Sequence, residues 1–212
     1  MKLPKGFLSV AALVFASDLT ASATEPIPRA GWKVELLAKA PEIKHPSVVC
    51  AAPDGRVFVA EDPMDIREDT PANSKNGRVV CLHPDGRRTV FAEGLHAVFG
   101  MQYLEGRLFV LHNPQLTVFR DDDGVGRDAR DILTHTLREP WALEWNDHVP
   151  ANFKLGMDGY FYLAVGDKGL EDCTGTDGKK SLYPVAALRA SVRMEPGWRF
   201  SRPECATFST WR

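Results

Sequence analysis

Asp158-Gly159-Tyr160-Phe161-Tyr162-Leu163-Ala164 decides the fold, because the chain carries this pattern three times. Asp54-Gly55-Arg56-Val57-Phe58-Val59-Ala60 and Glu105-Gly106-Arg107-Leu108-Phe109-Val110-Leu111 repeat its acid, its glycine and its short apolar strand. The three starts are 51 and 53 residues apart. A period near fifty residues, punctuated by turns and short strands, is the mark of β-propeller blades, small antiparallel sheets that bury their faces against one another. The expected fold class is therefore all-β, a partial β-propeller of about two and a half blades.

Period-2 alternation and turn residues place the remaining strands. Blade one is read from about residue 31 to 94. It has a first strand at 32–37, the strand at 57–60, a long loop through 62–76, and a hairpin of 79–82 with 89–92. Blade two runs from about 95 to 134, with strands at 99–103, 108–111, 116–119 and near 131–133. Blade three starts near Phe153 and includes 161–165. No helix is expected. A propeller closes by joining its last blade to its first, so two and a half blades leave faces and edges open. The expectation is half of a larger ring.

The two ends of the sequence read differently from its middle. Lys2 and Lys5 precede an apolar run at 7–16, and Ala21-Ser22-Ala23 offers a small-residue cleavage site. Residues 1–23 are therefore expected to be a secretory signal peptide, with an uncleaved anchor as the alternative. The apolar run is too short to span a bilayer. The protein is then expected to be periplasmic or secreted, without membrane association. At the other end, residues 184–212 hold five arginines, two glutamates and no aspartate, whereas 24–183 hold 19 Lys+Arg against 25 Asp+Glu. Alternation stops there too. Permitted codons for 185–212, read from the third base of the Val185 codon, can encode Gly-Gly-Val-Ala-Arg-Val-Arg-Pro-Asp-Gly. That resembles the strand and Pro-Asp-Gly turn already present at 79–86. The expected domains are thus a signal peptide at 1–23, a partial propeller at 24–183, and an aberrant tail at 184–212 produced by a frameshift close to Tyr183.

Composition is that of a soluble globular protein, 44% hydrophobic and 25% charged, with a net charge of −2 that does not point to nucleic acid. Cys50 and Cys81 lie in apolar Val-Val-Cys stretches, so buried free thiols are favoured over a disulfide, although an oxidising compartment permits one. No Cys-x-x-Cys-His occurs, so there is no c-type haem site in this sequence.

The polar residues that follow equivalent strands are the candidates for chemistry. Glu61-Asp62, His112-Asn113 and Gly166-Asp167 each follow the second apolar strand of a repeat, with Asp167 offset by one, and would share one rim. Solvated turns explain the same residues without function. His148 precedes the third repeat and Asp167 follows it nineteen residues later, so both can return to that rim. A carboxylate that holds an imidazole fixes its tautomer and stabilises its protonated form, which makes a tuned general base. A lone histidine is more often structural. Asp121, Asp123 and Asp128, in Asp121-Asp122-Asp123-Gly124-Val125-Gly126-Arg127-Asp128, are candidate calcium ligands, since hard cations take several oxygens. The twelve-residue spacing and closing glutamate of a calcium loop are missing, and an Asp-Gly turn between strands is the simpler explanation. Trp141 and Trp145 could floor a sugar site, with core packing as the commoner role.

Asp147-His148, the Leu155-Gly156-Met157-Asp158-Gly159 turn and Gly166-Asp167-Lys168-Gly169 resemble soluble quinoprotein glucose dehydrogenases and related aldose or sorbosone dehydrogenases. The stretches at 57–65 and 146–152 look like a planctomycete-type "membrane-bound dehydrogenase" family. The resemblance covers about residues 32 to 183. It implies a six-bladed propeller, pyrroloquinoline quinone (PQQ) and calcium as cofactors, a sugar or alcohol substrate and a cytochrome as electron acceptor. It also implies His148 as the base that takes the hydroxyl proton, with Asp167 orienting it. The quinone-binding lysine and arginines of those enzymes belong to later blades, so the chain by itself is expected to be inactive. The alternative is a non-catalytic propeller module that binds carbohydrate or protein.

Overall fold

The structure is a computed structural model that describes residues 26–63, 76–136, 149–157, 159–166, 170–175, 180–183 and 191–193. His148, Asp167, Trp141, Trp145, the segment read as a signal peptide and most of the tail lie outside these residues. Residues 1–36 and 37–212 form two separate units. In the first, a turn at Ala30–Gly31 is closed by the Trp32 amide donating to the Arg29 carbonyl at 2.9 Å. The strand expected at 32–37 does not form; Trp32 and Leu36 are 76% and 70% exposed. Alternation is present there, but no neighbouring strand pairs with it, and a strand needs a ladder to satisfy its backbone groups.

Among the described residues of the second unit all regular structure is β, in three antiparallel sheets. The first holds β1 (Pro46–Ala51), β2 (Val57–Glu61), β3 (Gly77–Leu82) and β4 (Arg88–Leu95), in the order β1-β2-β3-β4. The second begins with β5 (Gly100–Leu104), β6 (Arg107–His112), β7 (Gln115–Asp121) and β8 (Gly126–Thr136), again consecutive. The third contains β9 (Ala151–Leu155) and β10 (Tyr160–Ala164). Sequential four-stranded meanders repeated along the chain are propeller blades, and the protein is an all-β partial propeller. The blade-one strand misplaced at 32–37 is β1, so this sheet begins at Pro46 rather than near residue 31. The hairpins that open the three repeats close on Gly55, Gly106 and Gly159, with φ of 87°, 71° and 82°, a region that glycine enters without steric cost.

Two further strands leave the simple repeat. β11 (Leu170–Gly175) and β12 (Lys180–Tyr183) follow β10 in sequence, yet they extend the second sheet beyond β8, giving the order β12-β11-β8-β7-β6-β5. The partner of β10 on its far side is instead β13 (Ser191–Arg193), inside the segment read as an aberrant tail.

Burial explains why β6 is an unbroken apolar run rather than an alternating one. A strand sandwiched between two sheets must be apolar on both faces. Leu108 and Val110 face blade one, packing with Phe58, Val79, Cys81 and Phe91; Phe109 and Leu111 face blade three, packing with Phe153, Phe161 and Leu163. Phe58 stacks on Tyr103 at 5.4 Å and meets Phe91 edge-on at 5.1 Å, and Phe91 meets Phe119 at 5.7 Å. On the other side Phe161 lies 4.9 Å from Phe109 and 5.1 Å from Phe153. Cys50, Cys81 and Cys173 are free thiols, the last two buried.

Candidate functional site

The second strands β2, β6 and β10 end on one rim, and the chain enters β1, β5 and β9 from the same rim. A repeated backbone bond ties these segments together. The Asp62 amide, just past β2, donates to the His45 carbonyl at 3.0 Å, and the Asn113 amide, just past β6, donates to the His96 carbonyl at 2.7 Å. Counting from the turn glycines, the third-blade equivalents of these pairs are Gly166 and Val149. At that hairpin's open end Ala164 pairs with Ala151. Glu61, Asp62, His112 and Asn113 are all buried polar residues, and a buried polar group must find partners. Glu61 accepts from the Lys44 amide at 2.7 Å and from Arg78 Nε, with Arg88 Nη2 3.5 Å away. Asp62 accepts from the Val98 amide at 2.8 Å, which fixes the crossing from blade one to blade two.

His112 belongs to a relay that sequence reading did not find. Its Nε2 lies 2.8 Å from Thr117 Oγ1, and that hydroxyl donates to Asp131 Oδ1 at 2.6 Å. A threonine hydroxyl has one proton, here given to the carboxylate, so Nε2 must be the donor and neutral His112 carries its lone pair on Nδ1. Strand register gives the only sequence hint: Thr117 on β7 pairs directly with Asp131 on β8.

The three aspartates proposed as calcium ligands lie on the opposite rim, in and beside the β7–β8 turn. Asp121 accepts from Arg56 Nη1 at 3.1 Å, Arg56 Nη2 at 2.6 Å, Tyr103 Oη at 2.8 Å and the Gly124 amide at 2.8 Å. Asp123 pairs with Arg87 at 2.9 Å and Asp128 with Arg120 at 2.7 Å. Each carboxylate faces a guanidinium. Among the described residues no group of three or more His, Cys, Asp or Glu is arranged to hold a metal, so these residues do not fit calcium. The hydrogen bond to Arg56 holds the Asp54 carboxyl below the usual range. Burial, and then the hydrogen bond to Asp121, pushes the Tyr103 hydroxyl up to about 12. Arg56 itself spans blades one and two, and no local motif announces a partner 65 residues away.

Fold and rim together define a β-propeller segment with polar groups gathered where its second strands end. The chain belongs to the family described as Domain of unknown function (DUF7133), whose model matches residues 23–202. Among solved structures it is similar to a Thermus thermophilus protein provisionally assigned as an oxidoreductase (glucose dehydrogenase), with 17% identity, TM-score 0.46, and coverage of 77% of this chain and 51% of that one. A provisionally assigned gluconolactonase matches at 19% identity and TM-score 0.43, over 68% of this chain and 48% of that one. A luciferin-regenerating enzyme matches at 11% identity and TM-score 0.44, over 70% and 49%. The chain thus spans about half the length of these structures. A 57-residue stretch is 39% identical to the auxin-responsive protein IAA34 of Arabidopsis thaliana, covering 26% of this chain and 31% of that protein, too little of either to carry a family.

Proposed function

We propose that this chain is part of an exported propeller dehydrogenase, of the planctomycete-type membrane-bound dehydrogenase kind, that oxidises a sugar or alcohol. The repeated rim bond carries the reading. In blades one and two the segment leading into the sheet is bonded to the residue that ends the second strand. The equivalents in blade three are Val149 and Gly166, and their chain neighbours are His148 and Asp167. In this reading a His148 ring nitrogen accepts the substrate hydroxyl proton, and the Asp167 carboxylate fixes the tautomer and stabilises the imidazolium. PQQ, with calcium, would supply the hydride acceptor by resemblance, with a cytochrome as the onward electron acceptor. The described residues hold no ligand set for calcium, and no step is derived through either group.

The test is dye reduction with aldoses and simple alcohols in the presence of PQQ and calcium. It uses protein from a gene whose reading frame beyond Thr176 has been verified. Turnover that His148→Ala abolishes and Asp167→Asn cuts by roughly 10²-fold or more supports the dehydrogenase, given what a general base contributes. Carbohydrate binding without turnover would instead favour a non-catalytic module.

A further inference from the structure

Blade one has a pocket of about 480 Å³ on this same rim, lined by Lys44, His45, Glu61, Asn76, Arg78 and Glu93, among others. These residues come from the segment before β1, the end of β2, the start of β3 and the end of β4. The pocket is therefore a product of the sheet's register, with Glu61 paired directly to Arg78 and Arg78 to Glu93. Its size falls within the range of small-molecule sites.

Its chemistry is organised around one buried acid. Glu61 is 4% exposed, and the Lys44 amide, Arg78 Nε and Arg88 all converge on its carboxylate. Two guanidiniums around one carboxylate leave an excess of positive charge at the pocket wall. Arg78 spends Nε on Glu61, which fixes the plane of its guanidinium, and its side chain is 37% exposed. A planar guanidinium held from behind presents its terminal nitrogens as a fork that matches a carboxylate. Lys44 adds a second cation, whereas Glu93 and Asn76 offer acceptors and a donor suited to hydroxyl groups.

We propose that this pocket binds an acidic sugar, a hydroxyl-rich ligand bearing one carboxylate, with Arg78 as the anion contact and Lys44 in support. The proposal deepens the dehydrogenase reading by naming the substrate class and rests on it for the choice of a sugar. Cations alone would take any anion. Cations beside free hydroxyl-bonding groups select a carboxylate carried on a polyol.

Calorimetric titration of the protein with D-galacturonate, D-galactose and acetate tests it. Galacturonate is expected to bind at least tenfold more tightly than either of the others, and its affinity should fall as ionic strength rises. Arg78→Gln should weaken galacturonate at least tenfold. Lys44→Gln should weaken it about threefold to tenfold while keeping the backbone amide that serves Glu61, so the test survives even if Arg78→Gln does not fold. Galactose binding as well as galacturonate, acetate binding as well as galacturonate, or a folded Arg78→Gln with unchanged affinity would each overturn the proposal. Failure of the dehydrogenase reading shows separately, as turnover that survives His148→Ala, and leaves the calorimetric result standing.

Discussion

Asp121 shows how much one residue can contribute to joining two blades. Its side chain is 2% exposed and its two oxygens face the Arg56 guanidinium, itself 11% exposed at the side chain, with Tyr103 on the same carboxylate. Removing one partner of a buried pair strands the other charge, at about 3–5 kcal/mol. Asp121→Ala is therefore expected to lower unfolding stability by that amount in urea, whereas Asp123→Ala, an exposed pair, should cost less than ~1 kcal/mol. Tyr103 gives the pH dependence. Its hydroxyl is raised from 10.0 to about 12, so the folded state favours the protonated form. That contribution is fully present below pH 10 and is lost as pH rises toward 12. The urea midpoint of the wild type should fall across that window more steeply than that of Tyr103→Phe; parallel profiles would remove Tyr103 from the cluster.

Strands β2, β6 and β10 could be read from the sequence because each follows a turn glycine and buries its apolar residues on two sheet faces. β1 was misplaced because the alternating residues from Trp32 to Leu37 look as good as Pro46–Ala51 until a partner is sought, and only Pro46–Ala51 pairs with β2. The move of β11 and β12 to the edge of blade two was not readable, since a hairpin's sequence does not say which sheet it joins. On the rim, the polar pairs after β2 and β6 were foreseen from the repeat, but Thr117–Asp131 and Arg56–Asp121 depend on three-dimensional register. Gly100 tests how closely the strands of adjacent blades must approach. A Cβ there would lie 3.0 Å from Asn152 Cα, 3.0 Å from the Phe153 ring and 3.2 Å from Leu111 Cβ. The β9 backbone cannot yield as a flexible side chain can, so Gly100→Ala should wedge β5 from β9 and cost about 1–3 kcal/mol. Chemical denaturation reads this directly, and an unchanged midpoint would mean that the blades are free to separate.

At the scale of the whole molecule, the face of blade one that turns away from blade two remains open. Val49, Val59, Val80 and Val90 pair in register across all four strands, forming one apolar row. Ile43 packs on the middle of the row, where Val59 and Val80 are 5% and 0% exposed, but Val49 and Val90 at its ends are 60% and 41% exposed. β-Branched residues in direct cross-strand pairs are what a sheet uses to bury a face against another layer. An uncovered apolar row beside the unpaired edge of β1 is a surface on which copies can stick together. The protein is therefore expected to self-associate as its concentration rises, as seen in sedimentation velocity. The double substitution Val49→Lys with Val90→Lys should suppress that association while changing stability by no more than about 0.5 kcal/mol for each exposed site. Charge at the row's ends opposes stacking without entering the packed centre, so solubility and stability should separate. A wild type that stays monomeric at every concentration, or a double variant that unfolds, would show instead that this face is already closed.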